Sequence, residues 1–277
     1  MRPNEEAGAV FAPAQTFDYD RGACGPVRAR AIAVETPIQL AFGGAPFAVM
    51  MATPCDLRDF AVGFALTEGI VERVEEIRGV EVEVAREGVR VDVALSGERL
   101  SAHLARSRAM SGRTGCGLCG LDDLAHLPKP RRPVPAGAPI APAAIRAALQ
   151  GLERAQPLNA ETRAVHGAAW SDRCGAVLLA REDVGRHNAL DKLIGALALA
   201  SVDPLSGFIV LTSRCSFEMV AKAAAFGAAT LVSVSAPTSL ALERARACGL
   251  TLIAVARADQ ATIFTLATDD ASGGLAA

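Results

Sequence analysis

From Ile38 onward apolar and polar positions alternate: Ile38, Leu40 and Phe42 run into Gly43-Gly44, and Phe47, Val49 and Met51 follow. Two alternating runs joined by a glycine pair predict a β-hairpin, since glycine supplies the positive φ that tight hairpin turns need. Thr53-Pro54-Cys55-Asp56 reads as a helix start, with Thr53 as N-cap, Pro54 at the first helical position and Asp56 closing a capping box. Leu57, Phe60, Ala61, Phe64 and Ala65 then keep helical spacing as far as Gly69. Residues 80–85 and 89–95 alternate around Arg86-Glu87-Gly88, a second hairpin. Ahead of all this, residues 1–25 mix Pro, Gly and acid without a period and are expected to form a disordered lead. The pattern therefore predicts an α+β domain over 26–127.

Six of the fifteen prolines fall between Pro128 and Pro142. Each removes a backbone donor and fixes φ, so the stretch can be neither helix nor central strand. It is expected to link two domains, with a long surface loop inside one domain as the other reading. Beyond it the rhythm changes. Apolar runs at 176–180, 208–212, 231–234 and 250–256 recur at intervals of roughly 20 to 30 residues, a spacing that suits βα units. Leu190, Leu193, Ile194 and Leu197 share one helical face, and Met219, Val220, Ala223 and Phe226 another. A third helix opens near Ser235-Ala236-Pro237 and carries Leu240, Ala241 and Ala245. Such repetition predicts an α/β domain over 143–277 with a mostly parallel sheet.

In such a sheet the strands' carboxyl ends share one edge, toward which helix N-termini also point. That edge receives 181–188, with Arg181, Glu182, Arg186, His187 and Asn188; then Ser213-Arg214-Cys215-Ser216 with Glu218; then Ser233, Ser235 and Thr238; and last Arg257. Open α/β folds bind ligands at this edge, and exposed N–H groups there suit phosphate. Four arginines among hydroxyls fit an anionic ligand. The competing reading is local: Asn188 and Ser235 as helix caps, and Glu182 paired with Arg186.

Composition narrows the function classes. With 28 Lys+Arg against 30 Asp+Glu, the net charge of −2 argues against a nucleic-acid or polybasic membrane binder. A mean hydropathy of +0.28 raises the question of a membrane span. The apolar run 194–202 is about half of the roughly 20 residues a span needs. Glu5 and Glu6 precede any apolar run, which does not resemble a signal or transit peptide. Seven cysteines, an odd number without an export signal, imply a reducing, cytoplasmic location.

One cysteine pair is close. Cys116 and Cys119 lie in Gly115-Cys116-Gly117-Leu118-Cys119-Gly120, and the glycines around them predict a mobile loop that presents both thiols. Structural zinc would need two further ligands that no second Cys-x-x-Cys or His-x₃-His supplies. A thioredoxin-type redox pair would sit between an early strand and a long helix. A persulfide carrier needs an exposed thiol of lowered pKa, and Arg106, Arg108 and Arg113 bring positive charge nearby in sequence. A zinc deaminase would show His-x-Glu and Pro-Cys-x-x-Cys. The residues two beyond His103, His126, His166 and His187 are Ala105, Pro128, Ala168 and Ala189, and Gly115 precedes Cys116, so deamination is excluded.

Five blocks in order resemble the formate dehydrogenase accessory protein family of sulfur carriers. They are Thr53-Pro54 with Val62-Gly63-Phe64-Ala65-Leu66-Thr67-Glu68-Gly69; the Cys116–Cys119 segment; 182–192; 213–220 with Lys222; and 235–241. The resemblance covers about 35–265. It implies a carrier that takes sulfur from a cysteine desulfurase and passes it to the molybdenum bis(guanine dinucleotide) cofactor for formate dehydrogenase. The cofactor is then a bound client, and no permanently bound cofactor or metal is expected. It also implies Cys116 as the persulfide site, Cys119 as its assistant, a homodimer, and a cytidine-deaminase-like second domain. The expected cofactor-binding residues are Arg186, His187, Asn188, Ser213, Arg214, Ser216, Ser235 and the segment Val255, Ala256, Arg257, Ala258, Asp259 and Gln260, with His166 or His187 moving a proton. Two places depart from the family pattern. Thr162-Arg163-Ala164-Val165-His166 lacks the usual glycine pair, and Gln260 stands where a second base is common. A thiol–disulfide oxidoreductase and a non-covalent cofactor chaperone are the alternative functions.

Overall fold

Strand alternation and helical spacing place most elements where the sequence predicts them. The computed structural model describes residues 8–101 and 133–267. In chain order these are β1 (Ala9–Ala14), β2 (Phe17–Asp18), β3 (Ala23–Cys24), β4 (Arg28–Ala33), β5 (Thr36–Phe42), β6 (Ala45–Ala52), α1 (Leu57–Thr67), β7 (Ile77–Val84) and β8 (Val89–Leu95). The second half holds α2 (Pro142–Arg154), α3 (Pro157–Thr162), β9 (His166–Asp172), β10 (Val177–Asp183), α4 (Arg186–Leu199), β11 (Gly207–Leu211) and α5 (Phe217–Phe226). It continues through β12 (Thr230–Ser233), α6 (Ser239–Cys248), β13 (Thr251–Ala254) and β14 (Thr262–Thr265). Strands thus begin at Ala9, inside the stretch expected to be disordered. β1 pairs with β4 and β2 with β3, which makes one long two-stranded ribbon.

In the first half the sheet order is β6-β5-β8-β7, with β5 and β8 parallel and the other neighbours antiparallel. The inward positions Ile38, Leu40, Phe42, Val89, Val91 and Val93 pack on Leu57, Phe60, Ala61 and Phe64 of α1. The helix starts three residues later than a Thr53 cap would place it. Asp56, at φ 54°, is its N-cap, and Thr53 is buried elsewhere.

The second sheet corrects the expectation of a mostly parallel, cytidine-deaminase-like arrangement. Its order is β10-β9-β11-β12-β13-β14, and only β11–β12 and β12–β13 are parallel. The other three pairings are antiparallel, so the sheet is mixed. The cause is two strands without a helix in between. β9 turns directly into β10 through Asp172–Ala176, where Gly175 takes φ 95°, and β14 folds straight back on β13. The α-helical crossovers that force parallel pairing act only on β11, β12 and β13. Alternation splits this sheet's two faces. Trp170, Ile209, Leu211, Leu231 and Leu252 meet α4, α5 and α6, while Phe208, Val210, Val232 and Ile253 meet α2. Residues 133–141 carry neither helix nor strand, and Val134 N–H donates to Cys248 O at 2.7 Å. No helix among the described residues is long and apolar enough to cross a membrane.

The two halves meet through α1 and α4. A Cβ built on Gly63 would lie 1.8 Å from Asp191 O, and one on Gly195 would lie 1.9 Å from Asp59 O. The helices are therefore in backbone contact, and α1 is covered on one side by its sheet and on the other by α4. Two buried polar clusters close the joint. Lys222 Nζ reaches Asp191 Oδ2 at 2.9 Å and, from the first half, Glu68 Oε1 at 3.2 Å and Thr67 Oγ1 at 3.0 Å. Burial pushes the Lys222 ammonium down, but the charges of Asp191 and Glu68 outweigh this and hold it protonated. The other cluster, around Asp183, stands at the ligand edge.

Candidate functional site

Although β9 runs against its neighbours, β10, β11, β12 and β13 all point the same way, because two antiparallel pairings in succession restore direction. Their carboxyl ends do share one edge. The reversed β9 begins there, which sets His166 opposite Asp183. α4, α5 and α6 all start at this edge. Thr238 caps α6 by accepting from Ala241 N–H, whereas Gly185 and Ser216 give α4 and α5 no side-chain cap. N–H groups without a side-chain cap favour an anion at those two starts, although Glu218 already sits in the first turn of α5.

Asp183 organises the turn between β10 and α4. Its carboxylate accepts from Gly185 N–H at 2.7 Å, Asn188 Nδ2 at 3.0 Å and Thr53 N–H at 3.0 Å, and pairs with Lys192 Nζ at 2.7 Å. Both charged side chains are fully buried. Lys192 also donates to Thr53 O, and Asn188 to Met51 O, so the first half is stitched to the site's foundation. Asn188 is therefore spent inside the protein and is not a cap. Glu182 does not pair with Arg186. It accepts from the Leu158 and Asn159 N–H groups at 2.9 and 2.8 Å, at the start of α3.

Beside that turn His187 Nε2 lies 3.0 Å from Glu218 Oε2, with Ser216 Oγ 3.4 Å from the same oxygen. Burial raises the Glu218 carboxyl, but the His187 hydrogen bond and the charges of His187, Lys222 and Arg186 bring it below its ordinary value. Burial, then the Arg186 charge, lowers the His166 imidazole against an opposing pull from Asp183. Arg186 Nε is buried and has no hydrogen-bond partner among the described residues. Arg214 is exposed. Ser213 is buried with its hydroxyl on Arg214 O, and its own carbonyl accepts from Ser233 Oγ.

Next along the edge, Val255 has φ 51°. A β-branched residue in the left-handed region is strained by about 1–3 kcal/mol. Its N–H donates to Ser235 O and that of Ala256 to Ser233 O, which hold the bend in place. Arg257 donates to Val234 O, and Ala258, Asp259 and Gln260 are exposed. Arg163, in place of the family's glycine, keeps a glycine-like φ of 56°, so the chain still turns toward His166. The expected cofactor-binding residues lie along this edge in the chain, but Asn188, Ser213 and Ala256 are buried. Cys116 and Cys119 lie outside the described residues. Asp183, Lys192, Thr53 and Glu218 were not among the expected site residues. Glu218 was legible only as a member of the edge two positions after Ser216, Asp183 and Lys192 only as members of a family block, and Thr53 as a block member and helix cap. Among the described residues no cluster of three His, Cys, Asp or Glu side chains could hold a metal ion.

Cys215 also sits on this edge, yet it is fully buried, and burial pushes its thiol up to about 12. A thiol in that state is inert. Iodoacetamide at pH 8 should label exposed Cys24 and Cys174 in the folded protein and leave Cys215 unmodified until denaturant is added, as peptide mass spectrometry would show.

Comparison with known proteins agrees with this architecture. A sulfur carrier protein FdhD from Variovorax paradoxus is 49% identical over 234 residues, covering 84% of each chain. One from Bordetella petrii is 47% identical over 237 residues, again covering 84% of each. A solved structure from Desulfotalea psychrophila, described as a formate dehydrogenase accessory protein, superposes with a TM-score of 0.71 at 25% identity, over 93% of this chain and 97% of that one. The FdhD/NarQ family model matches residues 33–269, and the chain belongs to that family.

Proposed function

We propose that the chain is a sulfur carrier, a sulfurtransferase in formate dehydrogenase maturation, with Cys116 as its carrying thiol. The observation that carries this reading is a Gly-Cys-Gly-Leu-Cys-Gly segment in a member of the FdhD/NarQ family. In the proposed cycle the Cys116 thiolate attacks the outer sulfur of a cysteine desulfurase persulfide. The donor's S–S bond breaks, its cysteine leaves as thiolate, and a persulfide remains on Cys116. The Cys119 thiolate then attacks Cys116 Sγ and expels the outer sulfur as hydrosulfide. The two electrons that leave with the sulfide come from the cysteine sulfurs, which are oxidised to a Cys116–Cys119 disulfide that a cellular dithiol reduces again.

The acceptor is the molybdenum bis(guanine dinucleotide) cofactor, bound as client at the strand-end edge. Arg186, Arg214 and Arg257 and the uncapped starts of α4 and α5 offer charge and N–H groups to its phosphates. His187, oriented by Glu218, and His166, held toward its neutral form, are placed to move the accompanying proton. The protein works in the cytoplasm, as a homodimer, and delivers to formate dehydrogenase.

Incubation with a cysteine desulfurase and cysteine should add one sulfur atom to the intact mass, and Cys116→Ala should abolish the gain. No gain in the native protein overturns the carrier. A Cys116→Ala protein that still matures formate dehydrogenase would favour a non-covalent chaperone instead.

A further inference from the structure

The β1–β4 ribbon fills neither of its faces. Its root rests on α3, where Gly8 lies against Leu158. Farther out Phe11, Phe17, Tyr19, Val27 and Ile32 are exposed, Tyr19 by 92%. A lone two-stranded ribbon is marginal in water, and side chains of this size left outside mark a surface that something covers.

The ribbon's two edges differ. β1 contains Pro13, which has no N–H to extend a ladder. β4 has no proline and sets Arg28 and Arg30 on one face, with Ala29 and Ala31 on the other and Val27 just ahead of the strand. A matching edge exists elsewhere on the chain. The four-stranded sheet ends in β6 and β7. β6 is blunted by Pro46 at an irregular register, while β7 is regular from Val80 to Val84. It sets Glu81 and Glu83 on one face, with Val80, Val82 and Val84 on the other. All four charged side chains are exposed, and among the described residues none forms an ion pair.

We propose that β4 of one subunit pairs antiparallel with β7 of a second copy of this chain, reciprocally, in a closed two-fold dimer. One register satisfies both faces at once. Arg28 falls opposite Glu83 and Arg30 opposite Glu81, while Val27, Ala29 and Ala31 fall opposite Val84, Val82 and Val80. Opposite charges across a ladder attract and like charges repel, so β4 cannot pair with β4 or β7 with β7. The pairing rests on the homodimer reading above and specifies the surfaces it uses.

Analytical ultracentrifugation of the full chain tests it. The native protein should sediment as a dimer. At the same concentration Arg28→Glu/Arg30→Glu should be monomeric, and so should Glu81→Arg/Glu83→Arg. An equimolar mixture of the two variants should recover the dimer, because both contacts in the mixed pair are again complementary. A chain with all four substitutions should dimerise too. A monomeric native protein would overturn the homodimer reading along with this one. A dimer that survives either reversal, or monomers that fail to recombine on mixing, would overturn the β4–β7 pairing and leave the homodimer reading standing.

Discussion

Asp183→Ala should lower unfolding stability by about 3–5 kcal/mol, the usual loss when one partner of a buried ion pair is removed. The variant leaves the Lys192 ammonium enclosed with only carbonyl partners, at Thr53 and Glu182. It also strips the Thr53 and Gly185 N–H groups of their acceptor. Asp183→Asn should cost less, because its oxygen can still accept one of these bonds. Lys192→Met should also fall short of Asp183→Ala, because three N–H donors remain on the carboxylate. Urea unfolding followed by circular dichroism gives the three values. A loss below about 1 kcal/mol for Asp183→Ala would place it among ordinary substitutions and remove Asp183 from its organising role. The same residue sets the path of the turn that carries Arg186 and His187. Guanine-nucleotide affinity should therefore drop in Asp183→Ala even at temperatures where the variant stays folded.

Gly63→Ala is the second large effect, and its sign is the informative part. In an exposed helix the exchange stabilises by about 1 kcal/mol, since alanine is the better helix former. At Gly63 the added carbon would overlap Asp191 O at 1.8 Å and approach Gly195 N to 2.8 Å. Neither neighbour is a flexible side-chain end, so α1 and α4 have to separate. Overpacking of this kind costs about 1–3 kcal/mol, and the separation also pulls Lys222 away from Glu68 and Thr67. The expected result is a lower Tm. Gly195→Ala should behave alike, while Gly79→Ala, with nothing near its Cβ, should leave Tm almost unchanged. A Gly63→Ala protein as stable as the native one would show that the two helices do not meet as described.

Much of this was legible in the pattern of residues. Alternation around Gly43-Gly44 and around Arg86-Glu87-Gly88 predicted two hairpins that form as β5–β6 and β7–β8. Helical spacing located α1, α4, α5 and α6. What escaped was non-local. β9 reads as His-Gly-Ala-Ala-Trp-Ser-Asp, too small and mixed to signal a strand, yet it lies inside a sheet between β10 and β11 and runs against both. The ribbon escaped because its strands carry alanine, proline and arginine and have no core face to impose a period. Thr53, Asn188 and Ser235 have the chemistry of caps, but tertiary partners claimed the first two and Thr238 took the third one's place. Asp183 and Lys192 were visible only as members of a motif. Their pairing with each other and with a loop 130 positions away depends on how the two halves meet.

That separation has a consequence for synthesis. Thr53 leaves the ribosome 130 residues ahead of Asp183. At about 5–20 residues per second, its partner follows about 6–26 s later. Through that interval the first half must exist with the glycine face of α1 bare and the Thr53 amide waiting in water. The nascent chain is then a candidate client for a holding chaperone, and slow codons between the halves would lengthen its exposure.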